Sequence, residues 1–178
     1  MLLLATFRAA GFAAFAGTRQ GFLNSLAPLL AFPIVGALLA LADGMGWRAL
    51  GGLLGTLVAL LAPAVASHAL AQRWGREAGW LRYATAFNWC QWAVPVAALP
   101  TLVLAGVVMR LGVPLAVVTV GAMLAVLGYG LALHFFLARR GLELSRGRTV
   151  LLVLATNLAT GVLAAGPRLL TGDFPGTL

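Results

Sequence analysis

Residues 82–140 read RYATAFNWCQWAVPVAALPTLVLAGVVMRLGVPLAVVTVGAMLAVLGYGLALHFFLARR. No charged side chain occurs from Tyr83 to Met109, and none from Leu111 to Ala138; Arg110 alone separates the two runs. A helix needs about 20 mostly apolar residues to cross about 30 Å of hydrocarbon, so each run is long enough to span a bilayer. Little more than Arg110-Leu111-Gly112-Val113-Pro114 joins them. A connection that short forces an antiparallel helical hairpin. Neither run alternates with period two, which argues against a transmembrane barrel.

Three further runs flank the hairpin, each bounded by charge and containing none. The predicted fold is therefore all-α: a polytopic membrane bundle in one domain over residues 1–178. Its five transmembrane helices are expected at about 24–42, 49–72, 83–109, 113–138 and 149–167. Residues 1–20 are apolar but carry Arg8 near their middle. A central arginine costs roughly 2.5–3.5 kcal/mol on insertion scales, so this segment is predicted to be an interfacial helix leading into the first span. It lacks a basic leading region and makes a poor signal peptide despite Ala14 and Ala16. Pro28, Pro33, Pro63, Pro95 and Pro100 fall inside spans, where each removes a backbone donor and tends to kink its helix.

Composition agrees. Apolar residues make up 62% of the chain and charged residues 9%, against about 25% charged in soluble domains. A soluble surface so poor in charge would be one large apolar patch. All twelve basic residues are arginines; with the abundance of Ala, Gly and Leu, this points to a GC-rich bacterial genome and so to an inner membrane. The net charge of +8 is spread over short loops, so anionic headgroups are the expected partner rather than nucleic acid. The lone Cys90 excludes an internal disulfide.

Orientation follows from the arginines. With five spans, the side of the N-terminus carries Arg8, Arg19, Arg73, Arg76, Arg82, Arg139, Arg140, Arg146 and Arg148, and the other side Arg48, Arg110 and Arg168. Nine against three in short loops predicts a cytoplasmic N-terminus and a periplasmic C-terminus. A four-span alternative, with the fifth run lying flat, would put both termini inside. Trp47, Trp74 and Trp80 fall at span ends, as an aromatic belt would have them. Arg73, Arg76, Arg82, Arg139, Arg140, Arg146 and Arg148 are the expected headgroup-facing residues.

The same arginines mark depth. His68, His134, Asn88, Cys90, Gln91 and Asn157 each lie within nine residues of an arginine on the crowded side, which places them in the inner leaflet at a rise of about 1.5 Å per residue. Three readings compete. The first is structural: the histidines reach toward headgroups, and Asn88, Trp89, Gln91, Trp92 and Asn157 form helix–helix or lipid contacts, interhelical bonds being worth about 0.6 kcal/mol on average. The second is a cofactor site, with His68 and His134 holding a haem or (bacterio)chlorophyll, and Ala64 and Gly130 one turn earlier leaving room for a flat ring. The third is a polar pathway for a small solute, weakened by the absence of mid-span charge. On the third span, Asn88, Gln91 and Pro95 are expected on one face with Trp89 and Trp92 flanking it. Gly51-x-x-x-Gly55 would allow close helix approach.

No His-Glu-x-x-His, phosphate-binding glycine loop or Gly-x-Ser-x-Gly is present, so no enzyme is predicted. The order of elements resembles that of five-span bacterial inner-membrane proteins with a Yip1-like layout. That resemblance is carried by Arg82-Tyr83, Asn88-Trp89, the Gly112-Val113-Pro114 hairpin and Arg139-Arg140-Gly141-Leu142. It implies a membrane adaptor without catalytic residues. The resulting expectation is a non-catalytic accessory subunit that contacts lipid, other integral membrane subunits or a second copy. A pigment- or haem-binding subunit and a small-solute transporter are the alternatives.

The topology is open to a direct check. In a Cys90→Ala background, Leu111→Cys should react with a membrane-impermeant maleimide added outside spheroplasts, and Ser145→Cys only after permeabilisation. The reverse pattern would invert the orientation.

Overall fold

The computed structural model describes residues 1–171, less the side chains of 47–49 and 166–171. Two short pieces come first, α1 (Leu2–Ala5) and a 3-10 helix over Ala9–Ala14, followed by α2 (Arg19–Ala42), α3 (Trp47–Arg73), α4 (Glu77–Cys90), α5 (Ala93–Arg110), α6 (Leu115–Gly141) and α7 (Arg146–Thr171). Among the described residues there is no strand. Five helical runs are long and apolar enough to cross a membrane, α4 and α5 together forming the third. The loops that hold Arg73 to Arg82 and Arg139 to Arg148 meet at one end of the bundle, where Arg76 pairs with Glu143 and Arg148 lies over Trp74. Asp173 falls outside the described residues, as do the side chains of Trp47, Arg48 and Arg168.

The runs extend past their apolar cores into the charged flanks. Thr18 caps α2, its Oγ1 accepting from the Gly21 N–H at 3.1 Å. The hairpin between α5 and α6 turns at Gly112, whose φ of +87° suits glycine. Pro28, Pro33, Pro63 and Pro100 all lie within continuous helix, so the expected interruption is confined to one place.

That place is the third run. It starts at Glu77, six residues before the expected Tyr83, and it is broken at Gln91 and Trp92. Pro95 has no N–H to give the Gln91 carbonyl. The Val94 N–H takes that acceptor instead, at 3.2 Å, and the Trp92 N–H bonds Trp89 three residues back. The helix tightens there into 3-10 turns, and the faces of α4 and α5 fall out of register. The whole run is 34 residues long, about 51 Å at 1.5 Å per residue against about 30 Å of hydrocarbon. A single straight span would overshoot.

Packing is uneven along the bundle axis. The core cluster lies at the arginine-rich end and is built from Tyr83, Ala84, Ala86 and Cys90 of α4, Leu133, Leu137 and Ala138 of α6, Leu152 of α7 and Ala71 of α3. At the opposite end large apolar side chains stand outward, among them Leu38, Leu99, Val103, Leu124 and Val162. α4 sits at the centre of the packed end, against α2, α3 and α6. Its closest approach is to the end of α6: a Cβ on Gly79 would lie 3.1 Å from the Gly141 carbonyl oxygen, and one on Gly141 3.1 Å from Tyr83 Cβ and from the Phe12 ring. Close approach therefore occurs at Gly79 and Gly141. Gly51, by contrast, faces open space, with nothing within 4 Å of its missing Cβ.

The first residues depart from expectation. Instead of one interfacial helix, α1 and the 3-10 helix fold back on each other across Phe7, whose φ is +59°. Leu4 is fully buried and Phe12 nearly so. Tyr129 Oη donates to the Ala5 carbonyl at 3.0 Å, and Phe7 packs edge-on against Tyr129 and Phe136. Tyr129 lies ten residues before Arg139, about 15 Å along α6. The segment therefore reaches well up the bundle instead of resting at its rim. The leucines of this segment are confined to the consecutive Leu2, Leu3 and Leu4, with Gly11 following, so no long amphipathic face is available.

Gly141→Val should lower the thermal midpoint of the detergent-solubilised protein, corresponding to about 1–3 kcal/mol of overpacking. Gly121→Val, where nothing lies within 4 Å, should cost far less. Equal midpoints for the two variants would contradict the packing described.

Candidate functional site

The polar side chains expected at one depth are brought together selectively. His134 on α6 is buried and held from both sides. Tyr83 Oη lies 3.1 Å from its Nε2, and Asn157 Nδ2 of α7 lies 3.2 Å from its Nδ1. Asn157 Nδ2 also donates to the Val153 carbonyl at 2.7 Å, which fixes the amide with its nitrogen toward the ring. Nδ1 is then the acceptor, and the proton of the neutral ring sits on Nε2 and is donated to Tyr83 Oη. Phe87 tilts against the ring with centroids 4.6 Å apart. Three helices thus meet at one imidazole.

His68 belongs elsewhere. On α3, its Nε2 lies 3.5 Å from Glu77 Oε1 at the start of α4, and Trp80 packs edge-on at 4.6 Å. Trp80 Nε1 donates to Ser67 Oγ at 3.0 Å, locking α3 to α4. The two histidines are engaged by different partners and do not share a site. A metal on His134 would have to displace Asn157 or the proton shared with Tyr83. Gly130 does border open space, but that space is a groove between α5 and α6. The expected pairing of His68 and His134 around one flat ring is therefore not what this fold forms.

The polar-aromatic run on the third span divides at the helix break. Asn88 is buried and donates to Ser25 Oγ of α2 at 3.0 Å, and Ser25 in turn donates to the Phe22 carbonyl at 2.6 Å. Gln91 faces another way. Of the three residues expected on one face, Gln91 and Pro95 line the same cavity, while Asn88 is drawn to α2 by its bond to Ser25. Trp92 packs on Phe32 of α2 at 5.1 Å, whereas Trp89 is exposed. Arg73, Arg76, Arg82, Arg140, Arg146 and Arg148 are exposed and Arg139 half-buried. Arg76 pairs with Glu143 at 3.3 Å, and the Arg148 guanidinium lies 5.8 Å from the Trp74 ring centroid.

Gln91, Cys90, His134 and Asn157 share a different feature. They line the head of a cavity of about 1050 Å³ that runs between α5 and α6. Its walls are apolar and small, including Ala98, Ala105, Gly106 and Ala122. Its flank is open where Leu102, Met123, Leu124 and Leu127 stand exposed. Gln91's only hydrogen bonds among the described residues are those of its backbone. Asn157 Oδ1 likewise has no partner there, since both bonds of that side chain use Nδ2. The arrangement is a long apolar groove with an uncharged donor–acceptor cluster at one end.

Ser25 and Tyr129 were not singled out from the sequence, and Tyr83 entered only through the resemblance, without a role at His134. The available signal was that the chain has only two tyrosines, both inside apolar runs, where a hydroxyl requires a partner. Comparison of the chain with family models, with curated proteins and with solved structures yields no match.

The central network predicts non-additivity. Tyr83→Phe leaves the His134 Nε2–H without an acceptor and should cost about 1–3 kcal/mol of stability. In a His134→Leu background the same change should cost much less. Additive losses in thermal or denaturant unfolding would show that the Tyr83–His134 bond carries no coupling.

Proposed function

We propose that the chain is a five-span protein of a bacterial inner membrane, N-terminus in the cytoplasm and C-terminus in the periplasm. It acts without catalysis, as an accessory or adaptor subunit whose work is done through contact with lipid and with neighbouring membrane subunits or a second copy. The observation that carries this reading is the asymmetry of the bundle. Bonded polar groups and close packing are concentrated at the arginine-rich end, while bulky apolar side chains stand outward along the length of the runs. Outward Leu and Val at that density call for an apolar surrounding, and exposed arginines ringing the packed end suit anionic headgroups, each worth about 1 kcal/mol near such a surface.

Two features weigh against the alternatives. An ion-coupled carrier ordinarily places an ionisable residue in mid-span, and here the acidic and basic residues stay at the ends of the runs. A haem or chlorin subunit needs an imidazole lone pair. His134 has its Nδ1 lone pair engaged by Asn157, and His68 has different neighbours, Glu77 and Trp80. A Yip1-like adaptor role agrees with the absence of catalytic motifs.

Lipid mass spectrometry of protein purified in mild detergent should find phosphatidylglycerol enriched over phosphatidylethanolamine. The quadruple change Arg139→Gln, Arg140→Gln, Arg146→Gln and Arg148→Gln should lower that enrichment at least about twofold. Saturable, protein-dependent solute uptake by proteoliposomes would sink the contact reading. A Soret or near-infrared band abolished by His134→Ala would replace it with the pigment reading.

A further inference from the structure

We infer that the groove between α5 and α6 binds a neutral-headed, single-tailed isoprenoid of the quinone and quinol class, its ring beside Gln91, His134 and Asn157 and its tail along the two helices. The inference deepens the contact reading above and rests on it, because it takes the groove to lie in hydrocarbon.

Shape comes first. The groove follows α6 from Leu115 at one end, past His134, to Leu137, about 33 Å at 1.5 Å per residue and close to the thickness of a bilayer's apolar layer. About 1050 Å³ drawn out over that length makes a narrow channel suited to one flexible chain rather than to a compact solute. Its flank is open beside Met123 and Leu127, so a tail can enter sideways from a bilayer without crossing its polar surface.

The head end decides the chemistry. None of the residues lining the groove is Arg, Lys, Asp or Glu. A phosphate or carboxylate head would find no counter-charge there; the arginines that attract such heads lie beyond the groove at Arg139 and Arg140. What the head end does offer is neutral. Gln91 brings two N–H donors and one carbonyl, and Asn157 brings Oδ1, all without partners among the described residues. Unpaired amides are costly away from water, so these groups await a ligand with complementary polar atoms. A quinone ring presents carbonyls that accept from the Gln91 amide, and its reduced form presents hydroxyls that donate to Asn157 Oδ1 or Gln91 Oε1. Phe87 also lines the head end and lies against the His134 ring, supplying an aromatic surface for a ring to pack on. An aliphatic alcohol would use the amides but not this surface. A diacyl lipid would bring two tails to a one-chain groove.

The test is equilibrium binding of decylubiquinone to the purified full-length protein in detergent, read by quenching of tryptophan fluorescence. Saturable quenching is expected, weakened about tenfold by Gln91→Leu and by Asn157→Leu. The decyl tail should bind more tightly than a one-isoprene tail, and Ala122→Phe, which fills the groove midway along its length, should abolish that difference. The tail-length comparison uses the unmodified protein, so it stands even if a variant fails to fold. Absence of saturable quenching, indifference to tail length, or displacement of decylubiquinone by equimolar phosphatidylglycerol would each overturn the inference. None of these outcomes touches the contact reading, which stands or falls on solute uptake.

Discussion

Polar groups shut away from water must find partners within the protein, and the position of α4 follows from that constraint. The helix carries Trp80, Tyr83 and Asn88, and each reaches a different neighbour: Ser67 on α3, His134 on α6 and Ser25 on α2. The three bonds leave α4 in different directions, so no single translation or rotation keeps them all. Interhelical bonds of this kind are individually modest, about 0.6 kcal/mol on average in membranes. Their value lies in fixing which helix stands beside which, a choice that uniform Leu and Ala surfaces leave open. Gly79 and Gly141 then let the backbones of α4 and α6 close to within contact, and the aliphatic core fills in around them.

Helix number and extent were largely legible because they rest on the longest-range signal in the chain, charge excluded from runs of span length. The tight hairpin at Gly112 was legible for the same reason, since so short a joint leaves only one geometry. The break at Gln91 and Trp92 was half-legible. Five prolines lie inside runs, but four of them leave continuous helix, and sequence alone does not say which one will let its freed carbonyl be taken by a neighbour three residues on. Residues 1–20 were misread because a short apolar segment with one arginine satisfies an interfacial helix and a folded-back plug equally well. The difference is settled by Tyr129 and Gly141, far away in sequence.

Shared height along the helices was legible for Gln91 and Asn157, which line one groove, whereas facing was not. Arginine spacing put His68 and His134 at similar heights, and they turned out to serve separate helix pairs. The same spacing put Gln91 and Asn157 at one level, and these two do meet at the head of a common groove. Height is a one-dimensional property that a rise of about 1.5 Å per residue supplies. Azimuth depends on every degree of helical phase since the last fixed contact, and the 3-10 bonds of Trp92 and Val94 change that phase between α4 and α5.

The docking of residues 2–14 has a consequence for biosynthesis. Ala5 bonds Tyr129 across 124 positions, and Phe12 packs on Gly141. These residues leave the ribosome well before α6, so their binding surface does not yet exist when they emerge. At about 5–20 residues per second, they wait several seconds with Leu4 and Phe12 uncovered. The segment is thus a latch that closes late, only after α6 has been made.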